Sequence, residues 1–194
     1  MASPLGSDVL VVSGLPRSGT SLVMQLLAAG GVPLLTDGVR RADDHNPEGY
    51  FEFEAVKGTN RDARWLEHAP GKAVKMVLPL LELLPPSLPA RVILATRDLR
   101  EVALSQARMV AASNAEVAPA DDLEAWAVRL GDELDEGRRW LSAHPAIKVL
   151  EVDYGEIVAR PLDGARRICA FVGRGLDAAA MALTVDPALY RARC

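Results

Sequence analysis

The amino-acid sequence predicts an α/β fold in which a parallel sheet carries helices on both faces. Four short apolar runs are rich in β-branched residues and suit buried strands, at residues 9–12, 72–78, 91–96 and 147–152. Segments with helix-like spacing of apolar residues lie between and after these runs. Strands that alternate with helices are typical of a parallel sheet. The length of 194 residues suits one such domain, spanning 1–194, with a sizeable core.

The first unit, residues 8–30, joins a strand to a helix through a glycine-bearing loop at 13–19. A loop of this kind is a cradle for phosphate, because the N–H groups at the helix start converge there and the helix dipole adds positive charge. Gly14 and Gly19 permit tight turning and close approach of the backbone to a ligand. The sequence therefore predicts an anion site at the start of the first helix.

The loop differs from an ordinary Walker A loop in the position of its cation. Gly14 and Gly19 keep the Walker A spacing, but Thr20 stands where the lysine belongs, and the cation is Arg17. Residues 16–21, Pro-Arg-Ser-Gly-Thr-Ser, resemble the 5′-phosphosulfate loop of sulfotransferases that use 3′-phosphoadenosine 5′-phosphosulfate (PAPS). The resemblance implies a single-domain, three-layer fold like that of P-loop NTPases. It also implies that the donor is bound by Pro16, Arg17, Ser18, Gly19, Thr20 and Ser21.

The stretch between the first helix and the second strand has little periodicity. Residues 32–53 are rich in Gly, Pro, Asp and Arg and predict a surface loop. A long loop beside a phosphate cradle is more often functional than idle. Residues 54–68 predict one or two short helices, and the second strand, 72–78, leads into a helical turn at 80–84.

The second half of the chain repeats the order of strand and helix. The strand 91–96 precedes Asp98, which can cap a helix that runs to about residue 112. The other predicted elements are a loop at 113–119, an amphipathic helix at 121–143, the strand 147–152, helices at 161–172 and 178–183, and a tail at 186–194. Ligands of such sheets bind beyond the carboxyl ends of the strands, so the residues that follow each strand are the first candidates for a site.

The segment 91–112 holds a second motif, in which Ser105 follows Arg97 by eight positions. Arg97 leaves the end of a strand and Ser105 lies about two turns along the next helix, so a guanidinium fork and a hydroxyl can clamp a phosphate. The string resembles the 3′-phosphate motif of sulfotransferases, although Leu99 replaces a residue that is often proline. The alternative interpretation is a capped helix with a solvated arginine.

A third motif follows the second strand, but it lacks the residue that would act as the general base. Lys75 and Pro79 match a run of cytosolic sulfotransferases in which the lysine contacts the transferring group and a histidine takes the acceptor's proton. Val77 occupies the histidine position, and valine cannot accept a proton. A general base contributes ~10²–10⁴ in rate, so another group is expected to supply it.

Residues 46–52 offer such a group. They resemble an Asn-Pro-x-Gly-Tyr-aromatic-Glu string of small bacterial sulfotransferases, and the resemblance implies that Glu52 is the general base. Glu48 and His45 are reserve candidates for this role. The alternative is that Glu52 merely caps the next helix.

Two features near the C-terminus carry weaker signals. Residues 152–157 loosely resemble the Tyr-Glu-Asp-Leu region of the family. The late Arg-Lys-Gly element that holds the 3′-phosphate in cytosolic members is absent. Arg191 or Arg193 is a candidate substitute for this element, and the alternative interpretation is an unstructured basic tail.

Together the motifs imply transfer of a sulfuryl group from PAPS to a hydroxyl or amine, with no metal required. Arg17 and Lys75 are expected to offset charge on the transferring group. The acceptor is expected to be a small molecule or carbohydrate. Because the chain is short, its pocket is either open or completed by a second subunit of a homo-oligomer.

Two other functions remain open from the sequence. One is an ATP- and magnesium-dependent phosphotransferase, with Ser21 as a metal ligand and Asp98 or Asp153 in place of the Walker B acid. The missing loop lysine argues against it. The other is a non-catalytic nucleotide-binding or scaffold protein, which Val77 and the short chain favour.

The composition of the chain limits which classes of partner the protein is expected to bind. The formal net charge of −4 argues against a general nucleic-acid or anionic-membrane binder and still allows a local basic pocket. The two cysteines make no disulfide framework, which fits a reducing cytoplasm. The N-terminal apolar run has no basic region before it, so a signal peptide is not expected, and no apolar stretch is long enough to span a bilayer.

Overall fold

A computed structural model describes residues 8–40, 49–113, 122–173 and 175–190, and a five-stranded parallel sheet forms its centre. The strands are β1 (Val9–Gly14), β2 (Leu34–Leu35), β3 (Ala73–Lys75), β4 (Ala90–Thr96) and β5 (Ile147–Asp153). Their order across the sheet is β2-β3-β1-β4-β5, and every neighbouring pair is parallel. The predicted α/β class is confirmed.

The four predicted strands are present, with one shorter than expected and one addition. β3 covers only Ala73–Lys75, because the chain turns into a 3₁₀-helix at Leu78–Leu83 that has proline in its first turn. The addition is the two-residue β2, inside the predicted loop 32–53. It pairs with β3 at the sheet edge and is too short to leave a periodic pattern in the sequence.

Helices fill most of the predicted positions. The α-helices of the described residues are α1 (Thr20–Ala29), α2 (Leu99–Ser113), α3 (Leu123–Ser142), α4 (Tyr154–Ala159), α5 (Pro161–Val172) and α6 (Ala178–Leu183). Short 3₁₀-helices span Glu54–Gly58, Arg64–His68 and Pro187–Leu189. The sequence did not predict α4, whose six residues follow β5 directly and whose start is capped by the Asp153 carboxylate. Apart from Ser113, the last residue of α2, the predicted loop 113–119 lies outside the described residues.

Two apolar layers cover the sheet. Val9 and Val11 of β1 face a core built with α2 and α3, whereas Leu10 and Val12 face a core built with α1, α5 and α6. All four side chains are at most 2 % exposed. Successive residues of a strand point to opposite faces, so one continuous apolar strand serves both layers.

The sheet order places a topological switch at β1. This strand pairs with β3 on one side and with β4 on the other, and the chain crosses to opposite faces from that point. Ligands of open parallel sheets bind in the crevice beyond such a switch. The loop at 15–19 therefore occupies the position at which a ligand is expected.

Within the part of the chain that the structure describes, none of the helices has both the length and the apolar character needed to cross a membrane.

Candidate active site

A cavity of about 500 Å³ opens at the carboxyl edge of the sheet. One wall is the glycine-bearing loop at residues 15–19, called the phosphate loop after its predicted role. The other walls are the segment before the first 3₁₀-helix, the end of β3, one face of α2, and residues near the C-terminus. The sequence-predicted residues that line it are Pro16, Arg17, Gly19, Thr20, Ser21, Glu52, Lys75, Arg97 and Ser105. Ser18 is buried beneath the loop, and its hydroxyl has no hydrogen-bond partner among the described residues.

The loop backbone requires glycine at both ends. Gly14 has φ 152° and Gly19 has φ 101°, which are conformations that other residues rarely adopt. A Cβ added to Gly14 would lie 2.5 Å from the Ala95 carbonyl oxygen, and one added to Gly19 would lie 2.6 Å from the Tyr154 ring. Gly19 is also the N-cap of α1, so no capping side chain satisfies the first N–H groups of that helix. These N–H groups point to the place where an anion would bind.

Helix α2 holds the other half of the loop. Arg17 has φ 76°, and its Nε donates to the Ser105 hydroxyl at 3.0 Å. Gln106 donates from Nε2 to the Pro16 carbonyl at 2.8 Å. A non-glycine residue in this conformation costs roughly 1–2 kcal/mol, and the two hydrogen bonds hold the strained loop in place. The motif predicts that Ser105 and Arg97 clamp a phosphate together, and in the structure the Ser105 oxygen accepts a hydrogen bond from Arg17.

Lys75 lies beneath the cavity and bridges two of its walls. Its ammonium group donates to the Tyr50 carbonyl at 2.9 Å and to the Ser21 hydroxyl at 3.2 Å. Burial lowers the pKa of Lys75 to about 8. The Glu52 carboxylate opposes this shift, and the cations Arg40 and Arg17 add to it. Lys75 is thus an ammonium group that gives up its proton unusually easily.

Glu52 lines the cavity within an ion-pair cluster. Its carboxylate lies 2.8 Å from Arg40 Nη1 and 3.9 Å from Lys57 Nζ. The helix that follows is capped by another residue, because the Glu54 N–H donates to the Asp37 carboxylate. This hydrogen bond is the main cause that lowers the pKa of Asp37. The capping role considered for Glu52 therefore belongs to Asp37.

The reserve bases Glu48 and His45 lie outside the described residues, as do Arg191 and Arg193 of the tail.

Arg97 sits in a cluster that the sequence predicted only in part. Its Nε donates to Glu101 at 2.8 Å, and both side chains are only 8 % exposed. The guanidinium carbon lies 4.7 Å from the centre of the Tyr154 ring and 5.0 Å from that of Tyr190. The Tyr190 hydroxyl in turn donates to Glu101 at 3.0 Å. Glu101 had a local signal, since it is four residues from Arg97 in the sequence, but Tyr190 is 89 residues from Glu101 and had none.

The charges around the cavity are mostly positive. Among the described residues that line it, the acidic ones are Glu52 and Asp186. Its cationic residues are Arg17, Arg40, Lys57, Lys75, Arg97 and Arg108. The cations exceed the acids by four, although the whole chain has a formal net charge of −4. Such a concentration of positive charge attracts a polyanion.

The fold and this site define an α/β protein with a glycine-bearing loop at the switch point of a parallel sheet. Residues 48–178 match the sequence model of the sulfotransferase family, and the chain belongs to that family. The match begins after the phosphate loop, so it is independent of the loop's own resemblance. Membership supports sulfuryl transfer as the general activity and a transferase as the class of enzyme.

The overall fold is similar to a solved structure described as the sulfotransferase domain from the curacin biosynthetic pathway. The TM-score is 0.51, with 15 % sequence identity over 96 % of this chain and 92 % of that chain. At this identity the likeness shows the fold, and the predicted P-loop-NTPase-like architecture is confirmed. No curated protein has a significantly similar sequence.

Proposed function

We propose that the protein transfers a sulfuryl group from PAPS to a hydroxyl or amine of a small acceptor. The observation that carries the proposal is that the phosphate loop and Arg97 border one cavity, with the Tyr154 ring 4.7 Å from the Arg97 guanidinium carbon and close to Gly19 of the loop. PAPS has anionic groups on two sides of its ribose, so it needs two separate anion sites. An excess of four cations in the cavity lining suits such a ligand.

In this proposal the loop binds the 5′-phosphosulfate end. The N–H groups at the start of α1 and the hydroxyls of Thr20 and Ser21 are the donors. Arg97 takes the 3′-phosphate. Ser105 accepts from Arg17, so its own O–H proton is left to donate to a phosphate oxygen.

The reaction then consists of positioning and charge stabilisation. The acceptor oxygen or nitrogen attacks sulfur as the bond from sulfur to the bridging oxygen breaks. The bridging oxygen keeps the electron pair and leaves as part of 3′,5′-bisphosphoadenosine. Arg17 and the Lys75 ammonium group offset its growing charge, and the Glu52 carboxylate takes the acceptor's proton.

A thermal-shift comparison of 3′,5′-bisphosphoadenosine with ADP, each with and without magnesium, tests the donor. At 100 times its dissociation constant, a bound ligand adds about 2.7 kcal/mol to the free energy of unfolding. We expect this gain with bisphosphoadenosine, whether or not magnesium is chelated. Stabilisation by ADP and magnesium alone would instead favour the phosphotransferase. Binding of PAPS without turnover over a broad acceptor panel would favour a non-catalytic nucleotide-binding protein.

A matched pair of arginine variants tests the second anion site. Arg97→Met should weaken bisphosphoadenosine binding by roughly 1.5–3 kcal/mol, the scale of a hydrogen bond to a charged group. Arg100→Met is the control, because Arg100 lies three residues from Arg97 in the first turn of α2, is largely exposed and pairs with Glu124. Isothermal titration measures both affinities. Equal effects of the two variants would remove the 3′-phosphate assignment.

A further inference from the structure

The segment that follows α6 returns to the cavity and forms part of its wall. Asp186 caps the 3₁₀-helix Pro187–Leu189 through a hydrogen bond from the Ala188 N–H at 2.8 Å. Val185 packs against the core that also contains α1 and α5. Side chains of this segment that line the cavity are Thr184, Asp186 and Leu189. The packing of Val185 and the hydrogen bond of Asp186 thus hold the chain in place just before it reaches Tyr190.

Tyr190 shares one carboxylate with Arg97. Its hydroxyl donates to Oε1 of Glu101 at 3.0 Å, and Arg97 Nε donates to Oε2 of the same residue at 2.8 Å. Burial is the main cause that raises the pKa of Tyr190 to about 12, and the hydrogen bond to Glu101 is the second. The hydroxyl therefore remains a donor throughout the neutral range. Glu101 is held from two sides and keeps a fixed orientation against Arg97.

The Tyr190 ring also contacts the guanidinium of Arg97. The ring centre lies 5.0 Å from the guanidinium carbon, within the distance at which a cation and an aromatic ring attract. The Tyr154 ring lies 4.7 Å from the same carbon and meets the Tyr190 ring nearly at right angles, with 5.0 Å between ring centres. Two rings and a carboxylate thus surround a long side chain that would otherwise have many rotamers.

We propose that Tyr190 is a positioning residue that orients Arg97 toward the 3′-phosphate of the donor. The C-terminal segment then completes the donor site. The inference rests on the proposed function, because that function makes Arg97 the ligand of the 3′-phosphate. Its physical basis is preorganisation, since an arginine already held in the binding orientation loses less freedom when the ligand arrives.

Ligands with and without a 3′-phosphate test this role. Dissociation constants for 3′,5′-bisphosphoadenosine and for AMP are measured by titration calorimetry on the full chain and on Tyr190→Phe. The phenylalanine variant keeps the ring and removes the hydrogen bond to Glu101. We expect its dissociation constant for bisphosphoadenosine to rise roughly threefold to tenfold, with that for AMP unchanged. In turnover assays the KM for PAPS should rise while kcat stays the same.

Two further variants separate positioning from packing. In an Arg97→Met background, Tyr190→Phe should have no further effect on bisphosphoadenosine binding, because the residue through which it acts is gone. Leu183→Ala changes a side chain that is 87 % exposed in the preceding helix, and it should leave both affinities unchanged.

The outcomes are distinguishable. Equal weakening for bisphosphoadenosine and AMP, or an unchanged affinity for bisphosphoadenosine, would overturn the positioning role of Tyr190. An additive loss in the double variant would also overturn it. If the wild-type protein bound AMP as tightly as bisphosphoadenosine, the 3′-phosphate site itself would be wrong, and this inference would fall with the proposed function.

Discussion

Lys75 meets two opposing demands at the scale of a single residue. Its place beneath the cavity brings the ammonium group to Ser21 of the phosphate loop, but burial removes the water that would stabilise its charge. The result is a pKa of about 8, close to the pH at which the enzyme would work. Its role as a cation in the proposed reaction therefore depends on pH.

The first prediction concerns activity and pH. If the charged form of Lys75 stabilises the leaving group, kcat/KM for PAPS, which reports the free enzyme, should decrease as the pH rises through about 8. Lys75→Arg should move this decrease to higher pH, because a guanidinium keeps its proton. Rate profiles of both proteins between about pH 6.5 and 9.5 would measure it. A wild-type profile that stays flat above pH 8 would contradict the assignment.

The second prediction concerns stability and the same group. The folded-state pKa of about 8 lies below the ordinary 10.5, so the unfolded chain binds more protons between these values. The contribution of Lys75 to the free energy of unfolding should therefore increase with pH in this window, by up to about 1.4 kcal/mol per unit. Urea unfolding of wild type and Lys75→Met at several pH values measures it. Lys72→Met, just before the same strand, is the control.

The third prediction concerns Gly19. Gly19→Ala should abolish donor binding and destabilise the fold, because its Cβ would lie 2.6 Å from the Tyr154 ring. Gly31→Ala is a matched control, since Gly31 has a similar φ of 94° but open space around the added Cβ. Both variants incur roughly 1–2 kcal/mol of backbone strain, and only Gly19→Ala adds the clash. Similar binding by both variants would show that the contact with Tyr154 is unimportant.

At the scale of elements, α2 connects the two proposed anion sites. Its first turns carry Arg97's partner Glu101, and its next turn carries Ser105 and Gln106, which hold the phosphate loop. Asp98 starts this helix by accepting hydrogen bonds from the N–H groups of Arg100 and Glu101. One rigid helix therefore fixes the separation of the sites to which we assign the two ends of PAPS.

The fourth prediction concerns the contact between α2 and the loop. Gln106→Met should leave the Pro16 carbonyl without its donor and lower the free energy of unfolding by roughly 1–3 kcal/mol. The affinity for bisphosphoadenosine should decrease as well, because the loop would have to be ordered on binding. Urea unfolding and titration calorimetry give the two values. Unchanged affinity in a destabilised variant would limit Gln106 to a role in stability.

At the scale of the whole molecule, an acidic protein encloses a basic cavity. The chain has a formal net charge of −4, yet in the part of the chain that the structure describes the cations that line the cavity exceed the acids by four. The surface therefore repels general polyanions while the cavity attracts a small one. This distribution favours a compact, highly charged ligand such as the proposed donor.

The fifth prediction follows from that distribution. Raising the salt concentration from about 50 to 500 mM should weaken bisphosphoadenosine binding several-fold, because salt screens the attraction of partly exposed charges. Binding of adenosine, which has no phosphate, should change little. Titration calorimetry of both ligands at each concentration measures the effect. Equal salt dependence of the two ligands would contradict an electrostatic basis for donor binding.

The sequence by itself determined the features that depend on neighbouring residues. The first strand, its loop and the following helix are specified by local apolar spacing and by two glycines, and α5 and α6 have the predicted bounds. The motifs around Arg17, Lys75, Glu52 and Arg97 were also visible, since their signals lie within a few positions. The edge strand β2 and the helix α4 were missed because two and six residues give too little pattern.

Only the tertiary structure decided which partner each side chain has. Ser105 accepts from Arg17 across 88 positions, and Tyr190 reaches Glu101 across 89. The N–H of Glu54 at the start of its 3₁₀-helix donates to Asp37, 17 positions away, and not to Glu52. Such pairings depend on the position of β1 between β3 and β4 in the sheet, because this strand order brings segments that are distant in the sequence to one edge of the sheet. Local spacing contains no information about that approach, because packing of the two apolar layers fixes it only when the whole chain folds.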